Sequence, residues 1–266
     1  MKKILIPIIT LAVLSSACEK NAITGRRSLN LVPESEMMTM SFSQYDQFLT
    51  ENKPLPDTDK NVQLVRSVGK KIQAAVEKYY NDKGLSSQLA GYQWTFNVVQ
   101  SAEVNAWCMP GGKVVVYTGL LPVTQDEPSL AVVMGHEIAH AVARHGNERM
   151  SQGLLVQYGG EALSSMLQTK PQVTQELFKQ SFGIGSQLGL LKFSRTDETE
   201  ADKMGVVFMA LAGYNPEAAL PFWERMAQAS SGQKPPEILS THPSDETRIA
   251  TLKAFMPEAK KYYTGK

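Results

Sequence analysis

The stretch "DEPSLAVVMGHEIAHAVARHGNERM", residues 126–150, decides how the rest of the chain is read. Asp126 and Glu127 place negative charge where a helix start exposes unpaired N–H groups, and Pro128 suits the first helical position. A helix is therefore expected from 126 to about Met150, with "HEIAH" (136–140) at its middle. Residues four apart on a helix stack on one face. His136 and His140 can then turn both imidazoles to one ion, while Glu137, rotated by about 100°, flanks it where a base acting on water belongs. A catalytic zinc takes three protein ligands and keeps a fourth position open, so HEIAH is one ligand short. The chain has only four histidines, His136, His140, His145 and His242, which gives their clustering weight. His145 falls off the ligand face of a continuous helix and reads as a surface or capping residue.

The missing ligand is sought in "SRTDETEADKMG" (194–205). Ser194 and Asp197 have capping-box spacing and Gly213 lies just past the end, so a helix is expected over Ser194–Ala212. Glu198 and Asp202 share one face of it, whereas Glu200 lies about 200° from Glu198. Glu198 is the candidate third ligand. Asp202, one turn on, can accept a hydrogen bond from the far ring nitrogen of a ligating histidine and fix its tautomer. Each segment alone has a bland reading, a chance motif or a solvated helix face; the two together carry the argument.

Taken with "THPSDETRI" (241–249), these motifs resemble the gluzincin metallopeptidase family that contains the CAAX prenyl protease, HtpX, BepA and LoiP. The resemblance runs from about Asn61 to Ile249 and is nearer the soluble, exported lipoprotein branch. In that family HExxH is followed by S-R-x-x-E-x-x-A-D, whose first glutamate completes the zinc site; here it is Glu198, and the aspartate is Asp202. The resemblance implies a zincin-like α+β fold, mostly helical, with a small β-sheet beside the HExxH helix. It further implies one Zn²⁺ per chain, peptide-bond hydrolysis, and unfolded or misassembled proteins as substrates.

The rest of the chain supplies the scaffold. Val62, Val65, Val68, Ile72, Val76 and Tyr79 form an apolar stripe at helical spacing that starts at Asn61 and ends at "NDKG" (81–84). "YQWTFNVV" (92–99) and "KVVVYTGLL" (113–121) read as strands, with the turn "MPGG" (109–112) before the second. The stretch 105–121 is similar to the family's strand beside the zinc helix, where an exposed edge can align an extended substrate by main-chain hydrogen bonds. Gly111 and Gly112 would allow close backbone approach there, and Asn105 could bind substrate backbone or simply shape a turn. His242, before a proline, has three open roles: donor to the developing oxyanion, occupant of the open zinc position, or structural residue. Arg248 is expected to support the same region.

At the N-terminus, Lys2-Lys3 precede the apolar run Ile4–Leu14 and the small residues Ser15-Ser16-Ala17. The run is shorter than the roughly 20 residues of a membrane span and fits an export signal. Cys18 directly after it points to lipoprotein processing, although Ser15 stands where an aliphatic residue is usual. The expected organisation is a signal peptide at 1–17, a lipid-anchored tether and irregular polar segment at 18–60, and the peptidase domain at 61–266. Cys108, the second of two cysteines, reads as a small buried hydrophobe. With 27 basic and 26 acidic residues and no basic stripe, nucleic acid is not an expected partner.

The sequence thus reads as a zinc-dependent endopeptidase of the bacterial envelope, facing the periplasm and held, with the outer membrane favoured, by an N-terminal lipid. Its rival is a zinc-binding envelope chaperone or assembly factor with little proteolytic activity.

Overall fold

The computed structural model describes residues 18–156, 171–182, 193–229, 238, 242 and 246–265. The expected export signal (1–17) and much of the Gly- and Gln-rich stretch 151–190 lie outside them. Strands β1 (Cys18–Lys20) and β2 (Arg27–Leu29) form an antiparallel pair. Helices α1 (Glu34–Glu51) and α2 (Lys60–Asp82) lead into β3 (Thr95–Val99), β4 (Ala106–Met109) and β5 (Lys113–Tyr117). Then come α3 (Glu127–Val142), a helical stretch over 145–156, α4 (Pro171–Phe182), α5 (Arg195–Leu211), α6 (Ala219–Ala229) and α7 (Glu246–Ala259). The fold is mostly helical with one three-stranded sheet, and no described helix is long and apolar enough to cross a membrane.

The sheet order is β3-β5-β4, with β5 parallel to β3 and antiparallel to β4. All five residues of β5 are buried, as its unbroken "KVVVY" requires of a central strand covered on both faces. Val114 and Val116 face the main core, which holds the α2 stripe from Val62 to Tyr79 and the apolar residues of α3 and α5. Val115 and Tyr117 face the other way, onto Tyr45 and Phe48 of α1. That second face corrects the reading of 19–60 as irregular. Glu34 and Glu36 favour a helix start, and Met37, Met40, Ser41, Tyr45 and Phe48 recur at three- and four-residue spacing on the buried side.

Helix α3 starts as expected, Asp126 accepting from the Ser129 N–H, but it stops at Val142 rather than near Met150. Arg144 has φ 60°, a left-handed conformation that redirects the chain before helix resumes at 145. In α5 the Ser194–Asp197 capping box is present in both directions.

α3 and α5 pack backbone to backbone through two glycines. A Cβ on Gly135 would lie 2.9 Å from the Gly205 carbonyl oxygen, and one on Gly205 would lie 2.9 Å from the His136 nitrogen. No flexible side chain is there to yield. Gly205→Ala should therefore cost about 1–3 kcal/mol in urea unfolding of the metal-free protein, because the helices must separate to admit a methyl group. An unchanged unfolding midpoint would show that the contact is slack.

Candidate metal centre and cleft

The α3–α5 contact sets the site. His136 Nδ1 lies 3.0 Å from Asp202 Oδ1, and His140 Nε2 lies 3.5 Å from Glu198 Oε1, so the two helices run antiparallel past one another. His136 Nε2 is 3.1 Å from His140 Nε2 and 3.5 Å from Glu198 Oε2. His242 joins them, its Nδ1 2.8 Å from Glu198 Oε1 and 3.3 Å from His136 Nε2. One ligand atom from each of His136, His140, Glu198 and His242 falls within a group no more than 4.8 Å across, and all four residues are buried.

This donor set suits zinc. Zinc bonds to imidazole nitrogen and carboxylate oxygen at about 2.0–2.2 Å, so tetrahedral ligands sit about 3.3–3.6 Å apart. The two imidazole–Glu198 separations of 3.5 Å lie in that range, and the 3.1 Å between the two imidazoles falls just below it. Two Nε2 atoms facing each other need a cation or a shared proton between them.

The surrounding charges favour the ionised Glu198 and neutral His140 that ligation requires, whereas His136 must give up a proton to bind an ion. Burial opposes ionisation of Glu198, but the His242 and Arg248 charges hold its carboxyl well below the usual range. Asp202 is likewise lowered against its burial by Arg248. Burial keeps His140 well below its ordinary value; it opposes charge on His136 too, where hydrogen bonds to Asp202 and Glu198 raise the pKa to about 9. Arg248 is the hub: its guanidinium bonds Asp202 through Nε and Nη2, reaches Glu198 Oε2 at 2.8 Å, and lies 4.2 Å above the Trp223 ring.

Glu137 is turned away from the donor group. It is 3% exposed, its Oε1 has no hydrogen-bond partner among the described residues, and His242 Nε2 stands 3.6 Å away. Burial pushes its carboxyl upward, and the nearby His242 and His136 pull it back. A buried, poorly solvated carboxylate beside a cation site is a proton acceptor.

Glu137, His140 and His242 open on a cleft lined by β4, Arg149, Phe182 and Phe193. β4, which the sequence reading did not separate from its neighbours, is the edge strand that runs along it. Asn105 lines the cleft but is buried, and its Oδ1 accepts from the Ala106 N–H. Gly111 and Gly112 do not line it. They sit in the β4–β5 turn with φ 81° and 83°, and Cβ atoms there would strike the Phe42 and Trp94 rings. Turn geometry and packing explain these glycines, so their expected role in substrate approach is corrected. Cys108 is a free, buried thiol, its pKa raised well above the usual value by burial. The side chain of Cys18 is outside what the structure describes.

His145 is the larger correction. It is fully buried, with Nδ1 2.8 Å from His140 Nδ1 and Nε2 3.0 Å from Glu200 Oε2. The turn at Ala143–Arg144 brings it back toward His140, which counting along an unbroken helix could not show. Glu200, discounted as a ligand, also accepts from Arg26 Nε at 2.5 Å on that same oxygen and from the Thr24 hydroxyl on Oε1. Arg26 also makes a two-pronged pair with Glu148 at 2.8 and 2.7 Å.

A model of peptidase family M48 matches residues 67–256. Mitochondrial metalloendopeptidase OMA1 of Schizosaccharomyces pombe is 34% identical over 241 residues, which are 89% of this chain and 66% of that protein. The bovine mitochondrial metalloendopeptidase OMA1 is 32% identical over 249 residues, 91% of this chain and 47% of its own. The beta-barrel assembly-enhancing protease of Escherichia coli K12 is 34% identical over 161 residues, 58% of this chain and 33% of its own. The chain thus spans less than two thirds of the length of each of these relatives.

Proposed function

Because the chain belongs to peptidase family M48, we propose that it is a zinc-dependent endopeptidase in which His136, His140 and Glu198 hold the ion and Glu137 is the base. The convergence of two imidazoles and a carboxylate from two helices, with a second buried carboxylate beside them, carries this reading. Zinc, when bound, supplies a Lewis acid for the scissile carbonyl and acidifies water. Glu137 accepts the proton of the attacking water and delivers it to the leaving amine. Asp202 fixes His136 by accepting from its Nδ1–H, which leaves Nε2 as the ligand atom. The β4 edge beside the site supports an extended substrate held through its main chain, which suits unfolded segments of varied sequence. His242 presents Nδ1 to the donor group and Nε2 to Glu137, a position that favours the fourth-ligand role over a purely structural one.

For the whole protein, we propose cleavage of unfolded or misassembled proteins at the bacterial envelope, with residues 1–17 as export signal and Cys18 as the lipid-bearing terminus. The names of the relatives fit work at a membrane-bounded compartment, mitochondrial in one case and β-barrel assembly in the other. The apolar run 4–14 and the cysteine behind it support the lipoprotein branch.

The test is metal analysis of the purified protein beside digestion of casein. One zinc per chain, loss of digestion with a chelator and its return with added zinc are expected. Digestion that persists after the zinc is removed would overturn the mechanism. Zinc binding with no digestion of any unfolded protein would favour a chaperone-like role.

A further inference from the structure

We infer that His145 and Glu200 form a relay that positions the zinc ligand His140, and that the N-terminal segment around Arg26 holds the relay in place. The inference rests on the zinc reading above and extends it to residues that touch neither ion nor substrate. With Nε2 of His140 turned to the ion, its Nδ1 carries the proton. The only group 2.8 Å from that Nδ1 among the described contacts is Nδ1 of His145, which must then accept. His145 Nε2–H consequently donates to Glu200 Oε2 at 3.0 Å.

Each ring is fixed by the next partner. The outer carboxylate is fixed in turn by the Thr24 hydroxyl and by Arg26 Nε at 2.5 Å. His145 is 0% exposed and Glu200 is 3% exposed, so water does not compete for these bonds. His136 is oriented by a single carboxylate, Asp202; His140 is oriented by a carboxylate one imidazole further out. Hydrogen-bond partners of this kind make a ligand more basic and remove its freedom to rotate away, and their loss typically weakens metal binding 10- to 100-fold. Thr24 and Arg26 lie 176 and 174 residues before Glu200, so the segment ahead of α1 reaches the metal centre through this chain. The helical stretch over 145–156 and the first turn of α5 are tied to it as well, since Arg26 also bonds Glu148 and Asp197.

The test measures zinc dissociation constants by chelator competition, with urea unfolding of the metal-free proteins alongside. His145→Leu should bind zinc about 10- to 100-fold more weakly than the parent. His145→Asn, which can present an amide oxygen to the His140 N–H, should recover part of that loss. Val65→Ala opens a cavity in the α2 stripe, away from the relay; it should lower the unfolding midpoint and leave zinc affinity at the parent value. A His145→Leu protein that binds zinc within about twofold of the parent overturns the relay, because a positioning partner is worth at least tenfold. So does a Val65→Ala protein that loses as much affinity as His145→Leu, since the effect would then be general loosening. A parent that binds no zinc sinks the underlying metal reading instead, a result distinct from either.

Discussion

Glu137→Gln is expected to lower kcat/KM on an unfolded protein substrate by about 10²- to 10⁴-fold, the range that a positioned general base contributes. That loss corresponds to roughly 3–5 kcal/mol of transition-state stabilisation. The amide has nearly the shape of the carboxylate but cannot take the proton of the attacking water. Zinc content should not change, because Glu137 lies outside the donor group formed by His136, His140, Glu198 and His242. The same substitution should leave the metal-free protein at least as stable as the parent. Glu137 Oε1 is buried with no hydrogen-bond partner among the described residues, and a buried carboxylate in that condition is a cost to folding. Measured together, a fallen rate, an unchanged metal content and an undiminished unfolding midpoint identify a group kept for chemistry at the expense of stability. Full activity in Glu137→Gln would remove the proposed base, whatever the metal content.

Arg248→Met is expected to destabilise the metal-free protein by about 3–5 kcal/mol, the cost of removing one partner from a buried ion-paired group. The guanidinium is buried among Asp202, Glu198 and the Trp223 ring, and burial alone would disfavour its charge. The Asp202 and Glu198 carboxylates outweigh that burial and hold its pKa above the ordinary value. Without it, among the described residues Asp202 keeps only His136 as a partner and Glu198 keeps only the histidines. Arg248→Lys should recover little, because a single ammonium cannot bridge two carboxylates as the planar fork does. Since whole domains are stable by about 5–15 kcal/mol, a loss of this size is a large share of the total and is readily seen in urea unfolding. A change below about 1 kcal/mol would place Arg248 among ion pairs that contribute nothing measurable.

Parts of this arrangement were open to reading before any coordinates. The α2 stripe, the Asp126 cap, the Ser194–Asp197 capping box and the four-residue spacings of His136/His140 and Glu198/Asp202 are local features. They depend on residues within one or two helical turns, where geometry is fixed by the backbone repeat. α1 was equally local, with acidic residues at its start and a spaced apolar stripe, but its methionines, serines and threonines gave a weak contrast between faces. Residues 102–110 hid β4 because four residues are too few for alternation to stand out.

What the chain determined by itself was therefore the helices that carry the site, their capped starts, and which side chains share each helical face. The tertiary structure alone decided which faces meet. Gly135 against Gly205 lets two backbones approach closely enough for His140 to reach Glu198. The left-handed Arg144 turns His145 inward, and Arg26 closes a network across more than 170 residues of sequence. None of these has a signature in residue spacing, because each depends on where a distant segment comes to rest, and that is settled by packing of the whole core rather than by any local repeat.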